Sequence, residues 1–200
     1  MPVFTVSFCA IIIIIFILDN FFLIPKSESV TRKELFFGHN KGCINRTLRL
    51  SNEKIKSGQV WRLVSSALLH VGIPHIVTNT VAMFIVGYAV ESKIGAVKAL
   101  ICYVGSAFIS GLFMAFVYKL NEGEGASPGI FGLIAVFVIL AVKSGTVMFS
   151  PLPVFALIIL GIYTVTGIIT NKTVICEHLS GFVGGMLTGL LIVCFVNKSK

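Results

Sequence analysis

The chain has 200 residues, of which 56% are hydrophobic and 12% charged, and its mean hydropathy is +0.98. That composition describes a polytopic membrane protein and excludes an ordinary soluble domain. The formal charge of +8 lies in loops between apolar runs. It is read as ordinary loop solvation beside lipid headgroups, so the bilayer is an expected partner and nucleic acid is not.

A helix needs roughly 20 residues to cross about 30 Å of hydrocarbon. The first apolar run, Val3 to Ile24, lacks a basic leading region and is longer than a signal-peptide core, so a retained helix is expected. Asp19 and Asn20 near its end are expected at the interface. A hydrophilic stretch, Pro25 to Val60, leads into Gly58 to His70, which is half apolar and too polar to span. This segment is expected in the interface, with Trp61 at headgroup level. Further spans are predicted at about Ile73–Val90, Ala96–Tyr118, Ser127–Val142, Leu152–Ile169 and Ile175–Val196. With the first, these make an all-α bundle of six transmembrane helices, one domain over residues 1–200. Gly105, Ser106, Ser110 and Gly111 in the third span, and Gly181, Gly184, Gly185 and Gly189 in the sixth, have the spacing that lets helices approach closely in lipid. Cys9, Cys102 and Cys194 are read as small core residues, while Cys43 and Cys176 could pair on an oxidising side without anything requiring it.

Polar residues at the starts of these spans carry the chemistry. Ser127 opens the fourth span, His178 lies in the first turn of the sixth, and His75 and Asn79 lie in the first turns of the second. Six alternating spans put all four near one membrane surface. His75 and Asn79 are four apart and share a helix face. Each residue alone has a plain explanation: Ser127 before Pro128 as a helix cap, His178 and Asn79 as interhelical contacts. Together, on three helices at one depth, a serine and a histidine suggest a nucleophile and its base. A helix start also favours a developing oxyanion.

The chain resembles the rhomboid intramembrane serine proteases from roughly Phe37 to Gly189. The resemblance rests on Gly58-Gln-Val-Trp-Arg-Leu, Leu69-His-Val-Gly-Ile-Pro-His-Ile-Val-Thr-Asn79, Glu91-Ser-Lys-Ile-Gly95, Gly125-Ala-Ser-Pro-Gly-Ile-Phe-Gly132, and His178-Leu-Ser-Gly181 followed by Gly184 and Gly185. It implies a six-helix rhomboid-like bundle with a partly membrane-embedded first loop. It implies a Ser–His dyad in which Ser127 is nucleophile and His178 general base, with no third aspartate, and this chain's single aspartate is Asp19. His75, Asn79 and the Ser127 N–H would bind the oxyanion. Phe131 would pack on the histidine ring, Gly181 would let the sixth helix approach the fourth, and Trp61 and Arg62 would be structural parts of the first loop. No metal or cofactor is implied. The partners implied are transmembrane protein substrates, unwound at the site and admitted laterally past the fifth span.

The chain departs from the family at Pro128, where glycine is usual, and at Glu177, where alanine is usual. An alternative therefore stands: a weak or inactive rhomboid-like protein that binds transmembrane segments. A transporter or channel would need charge at mid-membrane, which the spans nearly lack. The resemblance places the protein in a membrane, as a multi-pass protein of the cell membrane, with the site on the extracytoplasmic side. Against that side, the first loop carries nine of the sixteen Lys and Arg residues, a bias that would draw it to the cytoplasm. Asn45-Arg-Thr and Asn171-Lys-Thr are glycosylation-type sequons on the same side.

Overall fold

The computed structural model describes residues 1–38, 41–144 and 173–196, with 158, 161 and 165 singly. Five of its helices are long and apolar enough to cross a membrane: Val3–Phe22, Ile73–Ile94, Ala96–Val117, Ser127–Ser144 and Thr173–Val193. They correspond to the first, second, third, fourth and sixth predicted spans. Of the expected fifth span, Leu152–Ile169, all but residues 158, 161 and 165 lie outside the described residues.

The elements run α1 (Val3–Ile17, continued by a wide turn over Leu18–Phe22), α2 (Arg32–Phe37), α3 (Cys43–Leu48), β1 (Leu50–Ser51), α4 (Asn52–Lys56), α5 (Arg62–Ser65), α6 (Ile73–Ile94), α7 (Ala96–Leu112, with a wide turn over Phe113–Val117), β2 (Glu122–Gly123), α8 (Ser127–Ser144) and α9 (Thr173–Val196). Gly95, at φ +83°, ends α6 and begins α7. Only glycine takes that conformation without strain, so the two helices need no longer loop.

Two kinds of contact hold the bundle. The first is backbone proximity along α8 and α9. A Cβ on Gly181 would stand 2.3 Å from the Pro128 carbonyl oxygen, and one on Gly185 would stand 2.1 Å from that of Gly132. Gly105 faces Thr188 and Gly184 faces Ser106, which brings α7 into the same seam. The small residues singled out in the sequence therefore bring backbones together where lipid supplies no hydrophobic drive between helices.

The second kind is polar anchoring. Glu91 is buried near the end of α6 and accepts from the Phe4 and Thr5 N–H groups at 3.0 and 2.8 Å and from Thr5 Oγ1 at 2.7 Å. It thereby satisfies donors at the start of α1 that a helix leaves open. The expected second span stops at Glu91; the helix continues to Ile94 because this carboxylate has internal donors. Asp19 and Asn20, near the end of the first span, are buried against the protein. Asp19 accepts from Ile44 N at 2.7 Å and Asn45 N at 3.1 Å, capping α3.

The first loop forms a folded cap against α7. Leu50, Ile55 and Leu63 pack on Met114 and Ala115, and the Leu63 carbonyl sits 2.5 Å from where a Gly111 Cβ would be. Because Gly111 belongs to a helix long enough to span, the loop packs on the bundle's flank. Trp61 is 52% exposed, suiting headgroup contact, whereas Arg62 is 3% exposed. Arg62 donates to the Arg46 and Arg49 carbonyls and to Gln59 Oε1, closing the end of α3. β1 pairs antiparallel with β2, Leu50 opposite Gly123, and ties the cap to the segment before α8.

Cys43 and Cys176 are free thiols, so the optional disulfide is not formed, while Cys9 and Cys102 are buried as expected. The side chain of Cys194 and the Asn171 sequon lie outside the described residues. The Asn45 sequon is not an open acceptor: Asn45 is 2% exposed and its Nδ2 donates to Glu124 Oε2 at 2.8 Å.

Candidate active site

Ser127 begins α8, with Pro128 in its first turn. Proline fits there because the first helical N–H groups have no intrahelical acceptor. The segment before it is pinned to the first loop, since Gly125 N donates to the Ser66 carbonyl at 3.0 Å. The Ala126 carbonyl accepts the first helical bond, from Ile130 N at 3.1 Å. Ser127 is 5% exposed and His178, on the first turns of α9, is 2% exposed.

Phe131, one turn into α8, stacks on the His178 ring with centroids 4.1 Å apart and planes inclined by 17°. One turn beyond His178, Gly181 lies against Pro128. The histidine of α9 is thus held against the first turn of the helix that Ser127 opens. Phe131 thus lies on the His178 ring and Gly181 at the contact between α8 and α9.

His75 reaches the same place from α6. The point where a Gly125 Cβ would stand is 3.1 Å from His75 Nε2 and 3.7 Å from Ser127 Oγ, so imidazole and hydroxyl flank Gly125. Gly125 has φ +147°, and a side chain there would strain the backbone and crowd both groups. Asn79, one turn along α6, is fully buried, and neither its Oδ1 nor its Nδ2 has a hydrogen-bond partner among the described residues. A buried amide without partners costs about 1–3 kcal/mol. Folded proteins retain such a group mainly where something else completes it.

Three nearby features were not legible in the sequence. His70 packs edge-on against His75 with ring centroids 5.0 Å apart, and burial together with His75 holds its imidazole well below the usual histidine range. Glu124 precedes Gly125, and burial pushes its carboxyl up to about 7 despite the Asn45 hydrogen bond. Tyr103, deep in α7, touches both the first loop and the start of α8. His70 lies in the Leu69–Asn79 motif without a role of its own there, Glu124 in a loop and Tyr103 in an apolar run, and the contacts described are tertiary. Glu177 faces Gly123, its Oε1 3.2 Å from the Cβ position of that residue, and lines a cavity of about 30 Å³ with Ser66, Ser110, Glu124, Gly125 and Pro128.

The comparisons with known proteins agree with this architecture. The Rhomboid domain family matches residues 57–195. The chain is 29% identical to "Rhomboid protease GluP" of Bacillus subtilis (strain 168) over 92% of its own length and 34% of that protein's. It is 26% identical to "Putative rhomboid protease YdcA" of the same organism, over 86% of this chain and 81% of the relative. To "RHOMBOID-like protein 4" of Arabidopsis thaliana it is 26% identical over 70% of this chain and 36% of the relative. The chain thus spans about a third of two of these relatives and most of the other. With several apolar helices, a glycine-lined seam and a match across most of its length, the chain belongs to the Rhomboid family of multi-pass membrane proteins.

Proposed function

We propose that this protein is an intramembrane serine endopeptidase that cleaves a peptide bond in or near a transmembrane segment of its substrate. The observation that carries the reading is the 4.1 Å stack of Phe131 on His178, which holds the histidine against the turn opened by Ser127. Ser127 Oγ attacks the scissile carbonyl carbon, and His178 takes the hydroxyl proton and delivers it to the leaving amine. Water then repeats the sequence on the acyl-enzyme, and Ser127 regains its proton. Asn79 Nδ2, His75 and the Ser127 N–H stabilise the tetrahedral oxyanion, commonly a large contribution to rate. The amide of Asn79 supports that role, since the transition state would supply the partner that it lacks among the described residues. The substrate helix must unwind locally, because a helix hides its peptide bonds, and water reaches the site from the loop side. The protein works as a multi-pass protein of the cell membrane, with the site facing the extracytoplasmic side.

The test is cleavage of a transmembrane reporter by protein reconstituted in liposomes, together with fluorophosphonate labelling. Ser127→Ala and His178→Ala are each expected to abolish cleavage while insertion and thermal midpoint are kept, and Ser127→Ala is expected to remove labelling. Cleavage near the wild-type rate in either variant would reject the dyad.

A further inference from the structure

We infer that Tyr103 is a positioning residue for the oxyanion site: its hydroxyl fixes the peptide unit between Ala126 and Ser127, whose N–H faces the reacting carbonyl. The inference rests on the protease reading above. Tyr103 lies on α7 and is 2% exposed. Its Oη is 3.2 Å from the Ala67 carbonyl oxygen and 3.4 Å from that of Ala126. A phenol has one proton, so the hydroxyl donates between these two acceptors, one in the first loop and one at the start of α8.

The Ala126 carbonyl and the Ser127 N–H belong to one planar trans peptide. The C=O points into α8, where it already accepts from Ile130 N. The N–H points the opposite way, out of the helix start, among the donors a helix leaves open. The shared hydroxyl, at 3.4 Å, adds a second donor that restrains the tilt of that plane. It also polarises the peptide, which makes its N–H a better donor. The ring is fixed as well. It lies 2.4 Å from where a Gly129 Cβ would be, and its centroid is 4.5 Å from that of Phe8 and 6.0 Å from that of Phe4 on α1. Gly129 thus leaves space for an aromatic ring under the first turn of α8, and the hydroxyl of that ring reaches the peptide ahead of Ser127.

The experiment is Tyr103→Phe in the full chain, reconstituted, with kcat and KM measured separately on the reporter. The ring and its packing remain and the donor is lost. The expected result is a fall of about tenfold in kcat, the scale of one hydrogen bond, with KM unchanged, the thermal midpoint within a few degrees and fluorophosphonate labelling slowed in the same ratio. A kcat within twofold of wild type, or a loss confined to KM, overturns the inference. Should Tyr103→Phe fail to fold, 3-fluorotyrosine introduced at position 103 keeps ring and hydroxyl and strengthens the donor. It is expected to raise kcat about twofold at constant KM, and an unchanged or lower kcat overturns the inference. Ser127→Ala separates the two readings. If that variant still cleaves, the protease reading has failed; if it is inactive while Tyr103→Phe cleaves at the wild-type rate, the failure is that of Tyr103 alone.

Discussion

The seam between α8 and α9 and the cap built by the first loop border the same site and are held by opposite means. The seam places Gly181 on Pro128 and Gly185 on Gly132, backbone against backbone, with no room for a methyl group. The cap is held by buried polar atoms: Arg62 on the Arg46 and Arg49 carbonyls, Asp19 on the N–H groups of α3, Asn45 on Glu124. The seam sets how near His178 comes to the Ser127 turn, and it should fail when atoms are added. The cap sets where Gly125 and Ala126 lie, and it should fail when a charge or a donor changes.

The seam should give the largest effect. Gly181→Val puts branched carbon into the Pro128 backbone, and reporter cleavage is expected to fall at least a hundredfold with loss of fluorophosphonate labelling, an outcome of separating two groups that must touch. Labelling at the wild-type rate would show that the seam does not set the dyad. Asn79→Ala comes next. On its proposed role as an oxyanion donor, its loss is expected to cost about ten- to a thousandfold in turnover, and KM is expected to stay within a few-fold. If KM alone rose, Asn79 would belong to packing.

Arg62→Met then tests the cap. The buried carbonyls lose a charged donor, and the thermal midpoint in detergent is expected to fall by an amount equivalent to roughly 2–3 kcal/mol. Exposure of the buried thiols of Cys9 and Cys102 to a maleimide dye is a direct readout. An unchanged midpoint would mean that water replaces the guanidinium without loss.

Glu124 sharpens the comparison with pH. Its carboxyl is raised to about 7, so its neutral form suits the fold. Protonated Glu124 stabilises fully below the ordinary carboxylate range near 4.5, and that contribution is lost as pH rises through about 7. Glu124→Gln keeps an acceptor for Asn45 and cannot ionise. Its midpoint is expected to exceed that of wild type increasingly as pH passes from about 5 to about 8, and parallel pH curves for the two proteins would refute the assignment. The smallest effect is expected at Glu177, whose carboxylate faces Gly123 and the small cavity. Glu177→Ala should leave turnover within a few-fold of wild type or raise it. A hundredfold loss with a shifted basic limb in the pH–rate profile would make Glu177 a third member of the catalytic group.

The seam was far more legible in the sequence than the cap. Glycines at fourfold spacing in an apolar run have one use in lipid, and Ser127 and His178 stand out because polar groups are costly there. The spans at Ile73, Ala96 and Ser127 were readable to within a few residues from hydropathy alone. The cap was not, because its order comes from long-range hydrogen bonds: Asp19 meets residues 25 and 26 positions away, and Asn45 meets Glu124 across 79. No local periodicity encodes such pairs. The burial of Asp19 and the contacts of Tyr103 with Ala67 and Ala126 are invisible in the sequence for that reason.

Asn45 and Cys43 lie two residues apart on α3 and have opposite exposure: the asparagine is buried under the cap, whereas the thiol is open. A glycan could reach Asn45 only before the cap closes, so its presence would date attachment to the nascent chain and would compete with folding. Cys43 instead offers a handle in the finished protein. A membrane-impermeant thiol reagent applied to sealed vesicles, with the other cysteines replaced, would tell from which side the loop beside Ser127 is reached, without adding a tag to either end of the chain.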